Sequence, residues 1–318
     1  MRCYKFLVIS TSGLLMLGMM YAPFPVAAQV GTFAREDLIE YTREWTGERF
    51  PDGRPRVPDV ILERMKIVPV TLAWSVLAGE GYESQYDGSE WKSIHPGAVI
   101  IGRALTVRYM PLRPHVDKVN GERAAQAGRT EGLYSWGVDM LREGDVYVAD
   151  GFGKQVNGAL IGDNYAAAIY AKSGNGAVIN SSVRDLEGIA EVPGFNAYVR
   201  SWHPAAVRDV MMMGVNVPVL IGEVTVMPGD IVLAKPEGIV FIPPHLAEKV
   251  VKTAEIRSLR DKFGIQRIIE KRYDLDQIHG RWTDDIERDF IGWLKENIDS
   301  LPVPKDVVGD YIQSSSQK

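Results

Sequence analysis

Apolar and polar residues alternate over DVYVAD, Asp145 to Asp150, and this period of two after a Gly-Asp turn predicts a short strand. Gly151, Gly153, Gly158 and Gly162 then break any regular pattern, so a glycine-rich loop is expected up to Asp163. From Asp163 the run DNYAAAIYAK is alanine-rich and predicts a helix that stops at Ser173-Gly174-Asn175-Gly176. AVIN follows as a short buried strand, and the unit ends in the charged turn Arg184-Asp185.

The same reading extends along the chain. Residues 31–58 contain GERFPDGRPRVPD, where proline and glycine predict an irregular extension wrapping the domain. A helix start is expected over Asp59 to Lys66 after Pro58, then a helix over Thr71 to Ala78 with Trp74 and Leu77 on one face. Tyr82, Tyr86 and Trp91 read as residues that pack a long loop onto its domain. Val99 to Tyr109 alternates as a strand with Arg103 and Arg108 as its charged members, and Arg113, His115 and Asp117 fall in the loop after it. The Met211-Met212-Met213 triplet reads as core filler. Short strands are expected within Val215 to Val226 and over Ile231 to Ala234 and Ile239 to Ile242, divided by Gly-Asp and Pro-Glu-Gly turns. From Leu246 the pattern becomes helical, with Thr283 placed to cap the last helix. Strands alternating with helices around Gly-Asp turns point to an α/β layered domain.

Composition changes this picture at the N-terminus. Arg2 and Lys5, an apolar run from Phe6 to about Tyr21, and Val26-Ala27-Ala28 before Gln29 have the form of a secretory signal peptide over 1–28. The expected mature protein is periplasmic or secreted, with no membrane association after cleavage. The formal charge of -5 becomes -7 when Arg2 and Lys5 leave, which disfavours nucleic acid as a partner. The single cysteine, Cys3, lies in the signal, so disulfides and thiol chemistry are not expected.

Geometry gives the central unit its chemical interest. A helix of ten or so residues rises roughly 15 Å, and about six extended residues return roughly 20 Å. Arg184 and Asp185 should therefore emerge beside the helix start that carries Gly162 and Asp163. Two carboxylates, one guanidinium and free helix N-terminal amides would then meet. Free amides favour an anion; an all-oxygen carboxylate pair favours Mg²⁺ or Mn²⁺. Each half also has a plain reading, since Arg-Asp is common in solvated turns and Gly-Asp is an ordinary helix cap.

The segment Gly144 to Asp185 resembles the RraA-like family, which includes the regulator of ribonuclease activity A and the class II pyruvate aldolases. PGAVIIGRALTVRYMP (Pro96 to Pro111) is similar to the early strand pair of that family, and PGDIVLAKPEGIVFIPP (Pro228 to Pro244) to its closing hairpin. The resemblance covers residues 61–251, leaving 29–60 as an N-terminal extension and 252–318 as a C-terminal helical one. It implies an α/β fold of the swivelling β/β/α sandwich type and a homo-oligomer, a trimer or hexamer. It also implies a divalent-metal-dependent aldolase or decarboxylase acting on a 2-oxo acid such as 4-hydroxy-4-methyl-2-oxoglutarate or oxaloacetate. On the family pattern Asp185 matches the metal ligand and Arg184 the substrate contact. Gly162, Asp163, Asn164 and Tyr165 match the segment whose amides hold the substrate carboxylate, and Arg184 and Asp163 are the candidate catalytic side chains. The glutamate that family aldolases take from an adjacent subunit has no assigned counterpart here. The alternative is a non-catalytic regulatory or binding protein of the RraA type.

Overall fold

A computed structural model describes residues 33–315, apart from 89, 127 and 129–132. The expected signal peptide, 1–28, lies outside the described residues. Helices α1 (Arg35–Tyr41), α2 (Asp59–Met65) and α3 (Val70–Gly79) lead into β1 (Tyr86–Asp87), β2 (Lys92–Ser93) and the long β3 (Ile100–Pro111). Then come α4 (Pro114–Gln126), α5 (Trp136–Asp139), β4 (Asp145–Ala159), α6 (Asp163–Ser173), β5 (Ala177–Val183), α7 (Leu186–Ala190) and β6 (Ala197–Trp202). Strands β7 (Val210–Val215), β8 (Val219–Ile221), β9 (Val224–Val226), β10 (Ile231–Lys235) and β11 (Gly238–Ile242) follow. The tail is helical: α8 (Ala247–Ile269), α9 (Leu275–His279), α10 (Asp284–Asn297) and α11 (Lys305–Ser315).

The main sheet runs β1-β11-β10-β3-β4-β5-β6-β2, with β7 paired to the outer part of β3. Strands β3 to β6 are parallel; β10 and β11 extend the sheet antiparallel. Successive side chains of a strand point to opposite faces, and the sheet is covered on both. Ala104, Val146, Val178, Val232 and Phe241 pack with Val219 and Val224 of the β8–β9 hairpin. On the other face Leu105, Tyr147, Ile179 and Val199 pack with Ala166 and Ile169 of α6 and Ile189 of α7. Leu233 and Val240 meet α2, α3 and α8 there. The layers are hairpin, sheet and helices, the expected β/β/α order. All seven residues of β5 are buried, as a parallel strand covered on both faces requires.

Several expectations need correction. The strand β4 does not stop at Asp150; it continues through the glycines to Ala159, with its register to β5 skipping twice. Ser181 Oγ donates to the carbonyls of Lys154 and Gly158 and holds this excursion to the sheet. Trp74 and Leu77, three residues apart on α3, differ in burial: Leu77 is buried among α2, α3 and α8, while Trp74 lies at the edge of that face and is 43% exposed. Arg113 sits just before α4, and His115 and Asp117 lie on that helix instead of in a loop. The extension before α2 is more than an irregular wrap: it includes α1 and buries Arg54 completely, with Nε on Asp52 and Nη2 on Asp145, both at 3.0 Å. Arg103 is likewise buried, donating to Asp59 at 2.8 Å and to the Val57 carbonyl at 2.6 Å.

Candidate functional site

The site begins with two chain reversals at the C-terminal ends of β4 and β5. Beyond Ala159 the chain reaches Gly162, the N-cap of α6, and beyond Val183 it reaches Arg184 and Asp185. The N–H of Arg184 donates to the Ile161 carbonyl at 3.1 Å, which ties the two reversals together. Asp185 adopts the left-handed conformation, φ 57° and ψ 46°, which aspartate tolerates better than most residues and which starts the short α7 at once.

Close approach explains the glycines here. A Cβ on Gly162 would lie 2.5 Å from Asp185 Oδ2 and 3.4 Å from Arg184 Cγ and Cζ. A Cβ on Gly188, in α7, would lie 2.9 Å from the Cβ of Asp163 and 3.0 Å from its Oδ2. Each segment thus offers a bare backbone to the carboxylate of the other. The predicted return of Arg184 and Asp185 to the start of α6 is observed, and it brings Gly162, Asp163, Arg184 and Asp185 into one place.

Arg184 Nη1 pairs with Asp185 Oδ2 at 2.9 Å, and both side chains are more than a third exposed. Such a pair contributes little to stability and is open to exchange with a ligand. The helical ladder of α6 begins with the Ala166 N–H on the Gly162 carbonyl, so the amides of Asp163, Asn164 and Tyr165 precede it. One of the three, that of Asn164, is taken by Asp163 Oδ1 at 2.7 Å. The Asn164 side chain is exposed. Tyr165 is half-buried against the core beneath α6, and burial, with Asp139 second, raises its phenol above the usual range. The side chain of Tyr165 serves packing, which leaves its backbone as the part available to a ligand.

Among the described residues no group of three or more His, Cys, Asp or Glu side chains is placed to hold a metal. The donor set that exists is Asp185, with Asp163 on the adjoining segment. It fits Mg²⁺ or Mn²⁺, hard ions that accept one or two carboxylates and fill their remaining positions with water and substrate oxygen. It does not fit a closed structural site.

One neighbour went unassigned in the sequence. The backbone N–H of His203 donates to the Val183 carbonyl at 2.9 Å, setting this residue beside the Arg184 reversal. Its Nδ1 accepts the N–H of Ala205 at 3.1 Å, so the proton of the neutral ring is on Nε2. No local motif marks His203; only the parallel pairing of β5 with β6 brings it here.

Comparison with known proteins agrees with this architecture. The RraA-like model, described as Aldolase/RraA, matches residues 76–241. A protein of Halalkalibacterium halodurans with the provisional name 4-hydroxy-4-methyl-2-oxoglutarate aldolase is 27% identical over 159 residues, 50% of this chain and 75% of that one. One of the same provisional name from Ectopseudomonas mendocina is 33% identical over 110 residues, 35% of this chain and 67% of the relative. Protein DlpA of Legionella pneumophila is 27% identical over 54% of this chain, which spans only 26% of DlpA. Among solved structures, Streptomyces coelicolor RraAS2, described as an unusual member of the RNase ES inhibitor RraA family, superposes with a TM-score of 0.55 at 22% identity. That likeness covers 67% of this chain and 98% of RraAS2. An uncharacterized Pseudomonas syringae protein gives a TM-score of 0.57 at 20% identity, over 71% and 100% of the two chains. The structural likenesses show the fold, and the model matching more than half of the residues shows the lineage: the chain belongs to the RraA-like family.

Proposed function

We propose that the protein is a divalent-metal-dependent carbon-carbon lyase that cleaves or decarboxylates a 2-oxo acid such as 4-hydroxy-4-methyl-2-oxoglutarate or oxaloacetate. The observation that carries this reading is the Arg184–Asp185 pair seated over Gly162 at the start of α6. The family membership and the provisional names of two relatives support a lyase at the level of the family.

In this reading the substrate carboxylate rests on the amides at the start of α6, where the helix dipole favours an anion. Arg184 turns its planar fork from Asp185 to the oxo group and meets the negative charge that develops there as the carbon-carbon bond breaks. Asp185, with Asp163 beside it, would hold the cation, which when bound would supply Lewis-acid polarisation of the 2-oxo group. His203 is our candidate proton carrier, since its bond to Ala205 fixes the ring orientation and leaves Nε2 to exchange a proton.

The test is pyruvate release from both acids with Mg²⁺, with Mn²⁺ and with chelator. Arg184→Lys should lower kcat on the order of a hundredfold or more, while KM moves less. Asp185→Ala should abolish Mn²⁺ binding in calorimetric titration while the melting temperature barely changes. Turnover that survives chelation, or an Arg184→Lys variant as fast as wild type, removes the mechanism. A protein that binds pyruvate yet turns over neither acid returns the reading to a non-catalytic RraA-type binder.

We also propose that the chain is exported. Mass spectrometry of fractionated cells should find the N-terminal peptide starting at Gln29 outside the cytoplasm; a full-length product inside it refutes export.

A further inference from the structure

A second cavity lies far from this site. Its floor is the turn before β10, and β10 starts level with Arg103 and Asp145, at the opposite end of the parallel strands from Arg184. The cavity measures about 250 Å³ and is walled by Tyr41 and Trp45 of the N-terminal extension, Tyr82 and Gln85 of the loop after α3, Asp230, and His245 after β11. The extension therefore walls one side of a chamber, open to solvent, over the family core, one that the reaction proposed above does not use.

The polar groups of the chamber are mismatched. Asp230 is 3% exposed; its Oδ2 accepts the Met227 N–H at 2.8 Å, and among the described residues no cationic side chain is paired with it. Gln85 Oε1 is buried with no donor among the described residues. No lysine or arginine lines the cavity, while Glu44 adds a second acid. His245 is biased toward its neutral form, because burial lowers its pKa, against the pull of Glu44 and Glu80, and its Nε2 stands 3.4 Å from the Tyr82 hydroxyl. Buried acceptors without donors are costly, and a structure retains them where something else completes them. Threonine, methionine and proline side chains complete the wall with the rings of Tyr41, Trp45 and Tyr82, and the faces of tyrosine and tryptophan rings attract cations.

We propose that this chamber binds a small organic ammonium, its N–H groups directed to Asp230 and Gln85 and its body against the aromatic side chains of Tyr41, Trp45 and Tyr82. The volume falls below the roughly 300–1,000 Å³ of drug-sized sites, so the ligand is a simple amine. Burial pushes the Asp230 carboxyl up to about 7, as befits an acid whose counter-charge is missing. An ordered water could satisfy Gln85, but it leaves the ionised form of Asp230 without a cation.

The experiment is calorimetric titration of the full chain with benzylamine and n-butylamine as their ammonium ions, and with benzyl alcohol as the neutral isostere. At least one amine should bind with Kd near or below about 1 mM, the scale open to so small a ligand. Benzyl alcohol should bind at least tenfold more weakly than benzylamine, and Asp230→Asn should lower the amine affinity by at least tenfold. Gln85→Met, which keeps the charge and removes the acceptor, should weaken it severalfold and serves also if Asp230→Asn does not fold. Neither amine binding at about 10 mM overturns the proposal. So does alcohol binding equal to that of the amine, or unchanged affinity in the variants.

Discussion

Asp230 shows how one buried group couples stability to pH. Burial raises its carboxyl to about 7, with the Met227 N–H pulling the other way. A carboxyl whose folded pKa is raised holds its proton better in the native state, so its stabilising contribution is complete below the unfolded value near 3.8 and fades as pH rises through 7. The loss is on the order of a few kcal/mol between those limits. Asn keeps an oxygen for the Met227 N–H and cannot ionise. Asp230→Asn should therefore match wild type in thermal unfolding near pH 4 and exceed it by several degrees at pH 8 in the absence of amines. Equal melting temperatures at pH 8 contradict the raised carboxyl. From sequence Asp230 was only a Gly-Asp turn residue, because its environment is made by α1 and by the segment after β11, both remote in the chain. Arg184 and Asp185 were legible because helix rise and strand rise, both local quantities, return them to Gly162.

At the scale of elements, the N-terminal extension is held by charge as well as by apolar packing. The guanidinium of Arg54 is wholly buried between Asp52 and Asp145, and Phe50 lies beneath it at 4.9 Å from ring centroid to Cζ. Asp145 opens β4, so this pair joins the extension to the strand that leads to the site. Burial raises the Asp145 carboxyl even against the attraction of Arg54, while pairing with Asp145 and Asp52 holds the guanidinium above its usual range despite burial. Removing one partner leaves an uncompensated buried charge, whereas removing both does not. Arg54→Met should destabilise by about 3–5 kcal/mol in urea unfolding, and Arg54→Met with Asp145→Asn should recover most of that loss. A single variant as stable as wild type shows that the extension is held by other contacts. The sequence of this segment, rich in proline and glycine, gave the irregular path correctly and hid the anchor. A buried arginine has no periodic signature, since its burial depends on a carboxylate 91 residues away. The β4 excursion was hidden for a similar reason: its glycines break the local pattern, but Ser181 restores pairing across the sheet.

For the whole molecule, the end of the parallel strands that carries the site also carries exposed apolar side chains. Phe152 and Val156 on the β4 excursion are 42% and 68% exposed, and Met110 and Leu112 at the end of the neighbouring β3 are 41% and 37% exposed. Phe152 and Asn157 both take positive φ, which marks the irregular backbone of the excursion. Exposed apolar residues grouped on one side of a site are the usual mark of an interface. We propose that this end of the parallel strands is buried between subunits of a trimer or hexamer, as the family resemblance implies, and that assembly completes the pocket with a group from a neighbour. Light scattering after size exclusion should then give a mass of three or six chains. Replacing Phe152 and Val156 together by Asp should yield monomers that keep the melting transition of the isolated domain, because neither side chain contributes to the core. If a neighbour supplies part of the site, kcat should fall with dissociation. A wild-type monomer with full turnover leaves the exposed apolar end without a partner and removes the shared site.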